Sequence, residues 1–477
     1  SYLADLDKKL RSEGATCPLY LMTSGGGLTT VQTARANPIR LMESGPAGGA
    51  ILAGRIALEC GLDKVLSYDM GGTTAKICLI DEGKPQTSRT FEVDRQYRFT
   101  KGSGLPLRIP VIEMVEIGAG GGSIAQIDNL NRVQVGPESA GSEPGPACYG
   151  QGGEGATVTD ADVALGRIAP EGFAGGSMNL SPQLSLDALE RAIGTRLNLD
   201  GPLAAFAVSE IVEENMSNAA RVHAVEQGKE LAARTLIAFG GAAPLHACRM
   251  AEKLNMDRVI IPQGAGVGSA IGFLAAPVSY EVVRSRYTKL EEFEPAALSR
   301  MFAEMHGEAF DIVSAGAPGA ELDERRIAYM RYIGQGHEIV VDVPVRELTV
   351  DDGAGLKAAF DEAYEDLFGR VIPSMQVEIL TWALSISTVP PQIDNKEEVT
   401  EGPIAQPAGE QMLFDSDLTE FVAAPVYQRE NLEPGMTLKG PALIMEAQTT
   451  TMVTNHFLAI INTSGHIELR RREGDRA

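Results

Sequence analysis

One short run in the sequence combines a carboxylate, two glycines and two hydroxyl groups, a set that suits the binding of nucleotide phosphates. The run consists, in order, of Asp69, Met70, Gly71, Gly72, Thr73 and Thr74. Glycines let backbone N–H groups approach phosphate oxygens closely, because no Cβ stands in the way. Asp69 could hold a water bound to Mg²⁺, and the threonines could donate hydroxyl hydrogen bonds. An ordinary β-hairpin with a Gly-Gly turn is the alternative that the spacing leaves open.

Two further glycine-rich segments could contact the same kind of ligand. Gly240, Gly241 and Ala242 join a predicted strand to a predicted helix, whose N-terminus can host an anion or the edge of a nucleotide. Gly120 and Gly121 belong to a run of four glycines in five residues, which is entropically costly unless a special backbone is needed. We interpret this run as a loop that contacts an anion or a substrate. A tight strand–helix connection and a structural bend are the respective alternatives.

Several acidic residues and one cysteine lie near these segments. Glu113 and Glu116 could serve as a base or a metal ligand, or be solvated carboxylates at a strand edge. Asp160 and Asp162 could bind a metal, but a cap on the following helix is the favoured role of Asp160. Cys148 lies in a Gly/Pro-rich loop with no histidine nearby in sequence, so we expect a small buried hydrophobe there and not a nucleophile.

The hydrophobic pattern predicts the elements that position these segments. Strands are expected at 64–69 and 75–81 on either side of the first turn, and a long helix over roughly 203–232. A strand at 235–239 and a helix at 244–254 flank the second glycine pair. Two such strand–Gly-Gly elements suit a nucleotide held between subdomains.

The remaining segments are less regular. Residues 95–170 are expected to form strands and long ordered loops, and Ser185 to cap a short helix that ends at Gly194. The charged stretch 395–401 is interpreted as a linker, and about 405–477 as a small β-rich module.

Composition limits the possible partners and the compartment. The chain has 477 residues, of which 44% are apolar, enough for several cores. Its formal net charge of −23 disfavours nucleic acid and anionic membranes as partners. Five scattered cysteines without a CxxC pair indicate a reducing compartment, and the six histidines form no HxH or HxxxH pair. No apolar run is long enough to span a bilayer and no signal peptide is recognised, so we expect a soluble, cytoplasmic protein. His246 follows the second glycine turn and could contribute to a nucleotide site, but packing at the helix start is the favoured role.

Six motifs, in this order, resemble the hydantoinase A/5-oxoprolinase family of the actin/sugar-kinase/Hsp70-like ATPase superfamily. They are Ser-Gly-Pro-Ala-Gly-Gly at 44–49, Asp-Met-Gly-Gly-Thr-Thr at 69–74, Gly-Ala-Gly-Gly-Gly-Ser-Ile at 118–124, Pro-Gly-Pro-Ala-Cys-Tyr-Gly at 144–150, Thr-Val-Thr-Asp-Ala at 157–161 and Phe-Gly-Gly-Ala at 239–242. Gly-Pro-Ala-Leu-Ile at 440–444, with the threonines at 449–451, is similar to the family's end module. The resemblance implies an α/β, actin-like ATPase (ribonuclease H-like) fold with a small β-rich C-terminal module. It also implies ATP with Mg²⁺ or Mn²⁺ as cofactors.

Two departures from the family pattern resemble its ATP-dependent ketone carboxylase branch, the acetone and acetophenone carboxylases. Lys76 lies where hydantoinases and oxoprolinases usually continue the turn with Ser-Thr-Asp, and Glu116 lies in the place of a usual His-Thr pair. The resemblance therefore implies Asp69, Lys76 and Glu116 as catalytic residues, with Asp69 reaching the metal of Mg·ATP. Lys76 would add positive charge near the transferred phosphate.

Full-size members of the family begin with a first phosphate-binding lobe that this sequence lacks, so we expect an N-terminally truncated chain. Residues 1–60 would be the remnant of that lobe, 61–390 the second lobe, and 391–477 the linker and the β-rich module. Phosphoryl transfer needs charge stabilisation from all sides of the phosphates. We therefore do not expect this chain alone to turn over ATP.

The resemblance implies a subunit of a hetero-oligomeric ketone carboxylase that phosphorylates a ketone enolate, bicarbonate or both, for an aromatic ketone such as acetophenone. The implied partners are a hydantoinase B-type subunit and a full-length or complementary hydantoinase A-type subunit; any structural zinc would lie in a partner. An ATP-dependent hydantoinase or 5-oxoprolinase type of lactam hydrolase subunit is one alternative. A catalytically silent structural subunit is the other.

Overall fold

The computed structural model describes residues 2–93, 102–171, 173–389 and 401–472. The chain forms two compact units. Ser1–Ser44 and Ala276–Gln392 make the small unit, and Gly45–Ala275 and Ile393–Ala477 make the large unit. The three-part division into lobes and module stays a prediction.

The helices and strands, in chain order, have the following bounds. The helices are α1 (Tyr2–Ser12), α2 (Val31–Ala36), α3 (Ser44–Glu59), α4 (Val158–Ala164), the single turn α5 (Phe173–Gly176), α6 (Pro182–Leu189), α7 (Thr195–Leu197), α8 (Gly201–Glu226), α9 (Ala243–Lys253), α10 (Gly268–Ala275), α11 (Pro295–Gly316) and α12 (Asp352–Phe368). The strands are β1 (Tyr20–Met22), β2 (Leu28–Thr30), β3 (Lys64–Met70), β4 (Ala75–Asp81), β5 (Lys84–Pro85), β6 (Thr87–Val93), β7 (Leu105–Ile112), β8 (Val115–Ile117), β9 (Ser123–Ile127), β10 (Val133–Ser139), β11 (Thr235–Phe239), β12 (Arg258–Ile261), β13 (Ser279–Lys289), β14 (Leu322–Tyr332), β15 (Ile339–Val343), β16 (Val377–Thr388), β17 (Gly409–Asp415), β18 (Glu420–Gln428), β19 (Thr437–Lys439), β20 (Ala442–Met445), β21 (Thr450–Val453), β22 (Phe457–Ile461) and β23 (Ile467–Arg471).

A nine-stranded mixed sheet is the centre of the large unit. Its order is β19-β22-β23-β12-β11-β3-β4-β5, and β8 pairs with β4. β11 runs parallel to both β3 and β12, whereas β4 returns antiparallel to β3. Every residue of β11 is buried, as expected for a parallel strand covered on both faces. The carboxyl ends of β3 and β11 therefore meet at one edge of the sheet.

Helices α3 and α10 pack closely together beside this sheet because glycines line their contact. A Cβ at Gly272 would lie 1.8 Å from the carbonyl oxygen of Gly48. One at Gly49 would lie 2.6 Å from the ring of Phe239, at the end of β11. Any side chain here would force the two helices apart. The glycines of the 44–49 motif thus bring α3 against the edge of the sheet where β11 ends.

The small unit is built on a four-stranded antiparallel sheet of order β13-β16-β14-β15, packed against α11 and α12. The buried residues of α11 recur at helical spacing, and its Phe302 meets Trp382 of β16 edge to face, with ring centroids 5.8 Å apart. Tyr332 and Phe360 make a second edge-to-face pair with centroids 5.0 Å apart. Aromatic and aliphatic volume therefore holds this unit together.

Most elements predicted around the glycine segments are confirmed. The strands flanking the first turn, the strand at 235–239 and the long helix are present, and strands β17–β23 make the C-terminal stretch β-rich. The predicted cap at Ser185 is wrong. The helix begins earlier, at Pro182, where Ser181 accepts a hydrogen bond from the backbone of Leu184. Ser185 is buried, and its hydroxyl donates a hydrogen bond to Asp160. Apart from Glu401, the predicted linker lies outside the described residues.

Across the described ranges, no helix is both long enough and apolar enough to cross a membrane.

Candidate functional site

Asp69 lies at the end of β3 and is the centre of the candidate site. Its Oδ2 accepts a hydrogen bond from the Ser269 hydroxyl at 2.9 Å. Gly240 approaches its other oxygen so closely that a Cβ would lie 2.7 Å from Oδ1. Burial raises the pKa of Asp69, and the hydrogen bond from Ser269 and the charge of Lys76 only partly offset this. A desolvated carboxyl group of this kind gains most from a cation that reaches it.

The turn after Asp69 is open on its outer side. Cβ atoms at Gly71 and Gly72 would meet nothing within 4 Å, and Gly72 and Thr73 are exposed. Within the described part of the chain, the backbone N–H groups of Gly72 and Thr73 have no hydrogen-bond acceptor. Two free amides and a hydroxyl beside a carboxylate are a set of donors of the type that binds phosphate.

The second glycine turn lies directly beside the first, although the two are about 170 residues apart in sequence. Phe239 is paired with Asp69 in the parallel register of β11 and β3, and Ala242 donates its N–H to the carbonyl of Met70 at 3.0 Å. Gly240 has φ +97°, and a Cβ there would lie 2.4 Å from the same carbonyl, so this position requires glycine. Both turns therefore lie at one sheet edge within the large unit, and a nucleotide held between subdomains stays a prediction.

Helix α9 starts at this second turn without a side-chain cap. Its N-cap residue is Ala242, whereas α8 is capped by the carboxylate of Asp200 and α4 by the hydroxyl of Thr157. Within the described residues, the N–H of Gly241 also lacks an acceptor. The positive end of the α9 dipole is therefore directed to the same edge as Asp69, together with a free amide.

The triple-glycine run, which is residues 120–122 of the glycine-rich segment 118–122, packs against the first turn. Gly121 and Gly122 donate their N–H groups to the carbonyls of Gly71 and Gly72 at 3.0 and 2.6 Å. A Cβ at Gly120 would lie 2.7 Å from the backbone of Thr73. The N–H of Gly120 is also used, since it donates to the Ser123 hydroxyl. The run thus fixes the shape of the first turn, and direct contact of Gly120 and Gly121 with a ligand stays a prediction.

Lys76 and Glu116 lie side by side on β4 and β8, next to the turn. The two residues are paired in register, and the Lys76 Nζ lies 3.2 Å from a Glu116 oxygen. The Lys76 Nζ also donates to the Thr74 hydroxyl at 2.7 Å, and Lys76 is opposite Asp69 across the hairpin. Lys76 is mostly buried, whereas Glu116 is about half exposed. Of the two predicted catalytic residues, Lys76 therefore lies on the same hairpin as Asp69, and Glu116 lies on the strand paired with that hairpin.

Asp160 and Cys148 have structural roles, as expected. Asp160 forms a capping box with Thr157 at the start of α4. Its carboxylate also accepts the backbone N–H of Cys148 at 2.8 Å. Burial raises the pKa of the Cys148 thiol well above its usual range. A thiol held in its neutral form is a poor nucleophile.

A buried cluster of four charged residues was not anticipated from the sequence. His246 of α9 lies between Glu213 of α8, at 3.0 Å, and Asp162 of α4, at 3.3 Å. Arg167 contacts both carboxylates, at 3.2 and 3.1 Å. Burial alone would lower the pKa of His246, but the two carboxylates outweigh it and raise the pKa to about 9. Burial would likewise raise the pKa of Glu213, but the hydrogen bond from His246 and the charge of Arg167 lower it to about 2.

This cluster connects α4 and α9, and each of these helices adjoins or contacts a glycine loop. The helix α9 begins at the second glycine turn, and α4 holds the triple-glycine run, since Thr159 donates its N–H to the carbonyl of Gly121 at 2.7 Å. Two carboxylates, a guanidinium and a protonated imidazole leave the cluster neutral overall. No group of three or more potential metal-ligating side chains was found in the described ranges. Asp69 offers a single carboxylate, and Mg²⁺ is usually bound by one or two carboxylates together with phosphate oxygens and water.

A nine-stranded α/β sheet with paired glycine turns around one carboxylate is the architecture of an actin-like (ribonuclease H-like) ATPase. The hydantoinase/oxoprolinase family model matches residues 1–282, and the model of the family's C-terminal domain matches residues 289–471. The chain belongs to the hydantoinase/oxoprolinase family.

Two of the named relatives are subunits of enzymes. The caprolactamase subunit alpha of Pseudomonas jessenii is 29% identical over 474 residues, which cover 98% of this chain and 67% of the relative. The acetophenone carboxylase gamma subunit of Aromatoleum aromaticum is 27% identical over 473 residues, with coverage of 93% and 61%. The chain thus spans about two thirds of the length of these relatives.

Solved structures agree with this family assignment. The crystal structure of the ATP-dependent caprolactamase from Pseudomonas jessenii matches with a TM-score of 0.81 at 28% identity, covering 98% of this chain and 68% of that one. Nucleotide-free acetone carboxylase matches with a TM-score of 0.78 at 24% identity, covering 98% and 67%. The second match shows the shared fold.

Proposed function

We propose that this chain binds Mg·ATP at Asp69 and, in a multi-subunit enzyme, helps to phosphorylate the oxygen of a carbonyl substrate. The observation that carries the proposal is the convergence of two glycine turns on Asp69, with free amides at Gly72, Thr73 and Gly241. Bound Mg·ATP would supply the phosphoryl group. The names of the relatives, which are subunits of ATP-dependent or carboxylating enzymes, support a partner-dependent activity.

The residues of the hairpin have separate roles in this proposal. Asp69 holds the metal through a carboxylate whose charge is poorly solvated. Thr73 and the free amides hold phosphate oxygens, since charge on those oxygens grows during transfer. Lys76 adds positive charge next to the turn. The 3.2 Å contact with Glu116 holds the ammonium group of Lys76 in place.

Within this reaction class, a ketone is the substrate we favour, as in a ketone carboxylase that activates an enolate, bicarbonate or both. The pairing of Lys76 with Glu116 beside the turn is the specific feature behind this choice. An aromatic ketone such as acetophenone is the particular substrate proposed. The partners would be a hydantoinase B-type subunit and a second hydantoinase A-type subunit.

ATP-dependent opening of a lactam is the second candidate, and the likeness to caprolactamase favours it. Both reactions place a phosphoryl group on a carbonyl oxygen, so the Asp69 site serves either. A substrate panel with the chain and its co-purified subunits separates them. Bicarbonate fixation with acetophenone supports the carboxylase. Phosphate release with a lactam or hydantoin, and no carboxylation of any ketone, overturns it.

Substitution of Asp69 tests whether the chain is active or only structural. Asp69→Asn removes the metal-binding charge, so we expect at least a ~10-fold loss of Mg·ATP affinity, consistent with a lost charged interaction. Calorimetric titration of ATP with Mg²⁺ measures this, and Asp63→Asn, an exposed carboxylate just before β3, is the matched control. Unchanged ATP binding and unchanged activity of the complex would favour a silent structural subunit.

A further inference from the structure

A cavity of about 820 Å³ in the large unit opens beside the second glycine turn. Gly241 and Leu245 form one wall, and the loop between β20 and β21 forms another. Its size falls in the range of small-molecule sites, about 300–1000 Å³. Gly241 lines the cavity, and its neighbour Gly240 lies against the Asp69 carboxylate. The cavity is therefore next to the proposed phosphate site.

The β20–β21 loop, Glu446–Thr449, is fixed against the glycine turn. The Thr449 hydroxyl donates to the carbonyl of Gly241 at 3.1 Å. Gly266 makes room for Gln448, since a Cβ at Gly266 would lie 2.5 Å from the Gln448 side chain. Within the loop, Glu446 donates its N–H to the carbonyl of Thr449 at 3.0 Å. These contacts hold Glu446 at a defined position relative to the phosphate turn.

Glu446 carries an acceptor that the described part of the chain leaves unused. Its Oε2 is buried and has no hydrogen-bond donor among the described residues. The nearest cationic group in the cavity wall, Arg429, donates instead to the carbonyls of Leu432 and Gly465. Burial raises the pKa of Glu446, and the charge of Arg429 only partly offsets this. An unpaired buried carboxylate oxygen is costly, so a ligand that brings hydrogen-bond donors is stabilised there.

We propose that this cavity holds the nucleoside end of the nucleotide, with the Glu446 carboxylate accepting hydrogen bonds from the ribose hydroxyls. The inference rests on the proposed function and adds the residue that selects a ribonucleotide. Vicinal hydroxyls offer two donors to one carboxylate, and Asp or Glu is a known partner of ribose hydroxyls in other nucleotide folds. The triphosphate would run from the cavity past Gly241 to the turn after Asp69.

The test compares ATP with 2′,3′-dideoxyATP, both with Mg²⁺, by calorimetric titration of the folded chain. We expect the wild-type chain to bind ATP at least ~10-fold more tightly, as for lost hydrogen bonds to a charged group. In Glu446→Ala the two ligands should bind equally, both at about the affinity of dideoxyATP for the wild type. Glu446→Gln, which keeps one acceptor, should give an intermediate ratio. Circular dichroism checks that each variant is folded.

Glu420→Gln on the exposed start of β18, outside the cavity wall, is the matched control and should bind as the wild type does. Equal affinity of the wild type for both ligands, or an unchanged ratio in Glu446→Ala, overturns the inference. The proposed function survives that result if Asp69→Asn still weakens ATP binding. If ATP does not bind, or if Asp69→Asn binds ATP as tightly as the wild type does, both the inference and the proposed function are overturned.

Discussion

The core of the small unit and the Asp69 edge of the large unit are built on opposite principles. In the small unit, large rings such as Trp382 and Phe302 fill the space between an antiparallel sheet and its helices. At the Asp69 edge, Gly240 and Gly120 carry no side chain, and the backbone of a neighbouring loop occupies the space where a Cβ would lie. Volume provides stability in one region, and its absence allows chain segments and a ligand to approach in the other.

The two regions also differ in where their charges lie. Arg284–Glu308 and Arg325–Asp342 of the small unit are largely exposed ion pairs. The large unit instead buries the cluster around His246 completely beneath the glycine loops. Exposed pairs contribute little to stability, whereas breaking a buried pair is costly. Substitutions should therefore have different consequences in the two regions.

The largest effect is expected from removing volume in the small unit. Trp382→Ala should lower the free energy of unfolding by about 4 kcal/mol, because a fully buried ring is replaced by a cavity. Hydrogen exchange measured by mass spectrometry should show lost protection in β13–β16, while Mg·ATP affinity is unchanged. Tyr287→Ala, an exposed ring on β13, is the control and should change little. A parallel loss of ATP affinity would show that the two regions are not separable.

The buried cluster should make the large unit sensitive to pH. The pKa of His246 is raised to about 9, so its stabilising contribution is complete below its unfolded value of about 6.5 and is lost as pH rises through about 9. Glu213, lowered to about 2, contributes fully above about 4.5 and loses its effect as pH falls towards 2. His246→Gln should cost about 3 kcal/mol near pH 6.

Urea midpoints measured between pH 6 and pH 9.5 check this prediction. The wild type should lose stability over this interval, and the loss attributable to the cluster should be absent in His246→Gln. His337→Gln, on the surface of the small unit, should retain the wild-type slope. An identical slope in all three proteins would mean that His246 is neutral in the folded state.

A methyl group at the glycine turn should impair the site more than the fold. Gly240→Ala places a Cβ against Met70 and Asp69 in a left-handed backbone, so we expect about 2 kcal/mol of destabilisation. Mg·ATP binding should be abolished because the turn is displaced. Gly152→Ala has a nearly equal positive φ, +94°, and nothing within 4 Å of its Cβ, so it measures the backbone cost alone. ATP binding retained in Gly240→Ala would contradict the site.

The smallest effect is expected at the hydroxyl that supports Asp69. Ser269→Ala removes the 2.9 Å hydrogen bond that stabilises the ionised carboxylate, so the pKa of Asp69 should rise further. Mg·ATP affinity should fall by about 1 kcal/mol, roughly fivefold, with a larger fall at pH 6 than at pH 8. Titrations at both pH values, with Ser12→Ala on α1 as control, check this. An equal fall at both pH values would argue against titration of Asp69.

The sequence predicted the parts of the site that are local. The strands at 64–69 and 235–239 and the two glycine turns could be recognised because each is one continuous pattern. It could not show that these turns share a sheet edge, since strand order depends on contacts across 170 intervening residues. The triple-glycine run was interpreted as a ligand loop from its entropy cost alone, and the structure shows a use for its amides inside the protein.

The buried charges escaped prediction for a related reason. Asp162, Glu213 and His246 come from three helices and carry no common motif. Glu446 lies about 200 residues from Gly241, and nothing in its neighbourhood in sequence marks it as buried. Which polar side chains become buried depends on how the elements pack against one another. The pattern of apolar residues shows only which faces of the elements are packed.

Trp382 is the single tryptophan of the chain, and it is fully buried in the small unit, where its indole N–H donates to the carbonyl of Arg286. Intrinsic fluorescence excited in the indole band therefore reports on the small unit alone, although the proposed nucleotide site is in the large unit. An emission change when ATP is added would be a direct optical signal of communication between the units. A silent spectrum during calorimetric binding would show that the nucleotide leaves the small unit undisturbed.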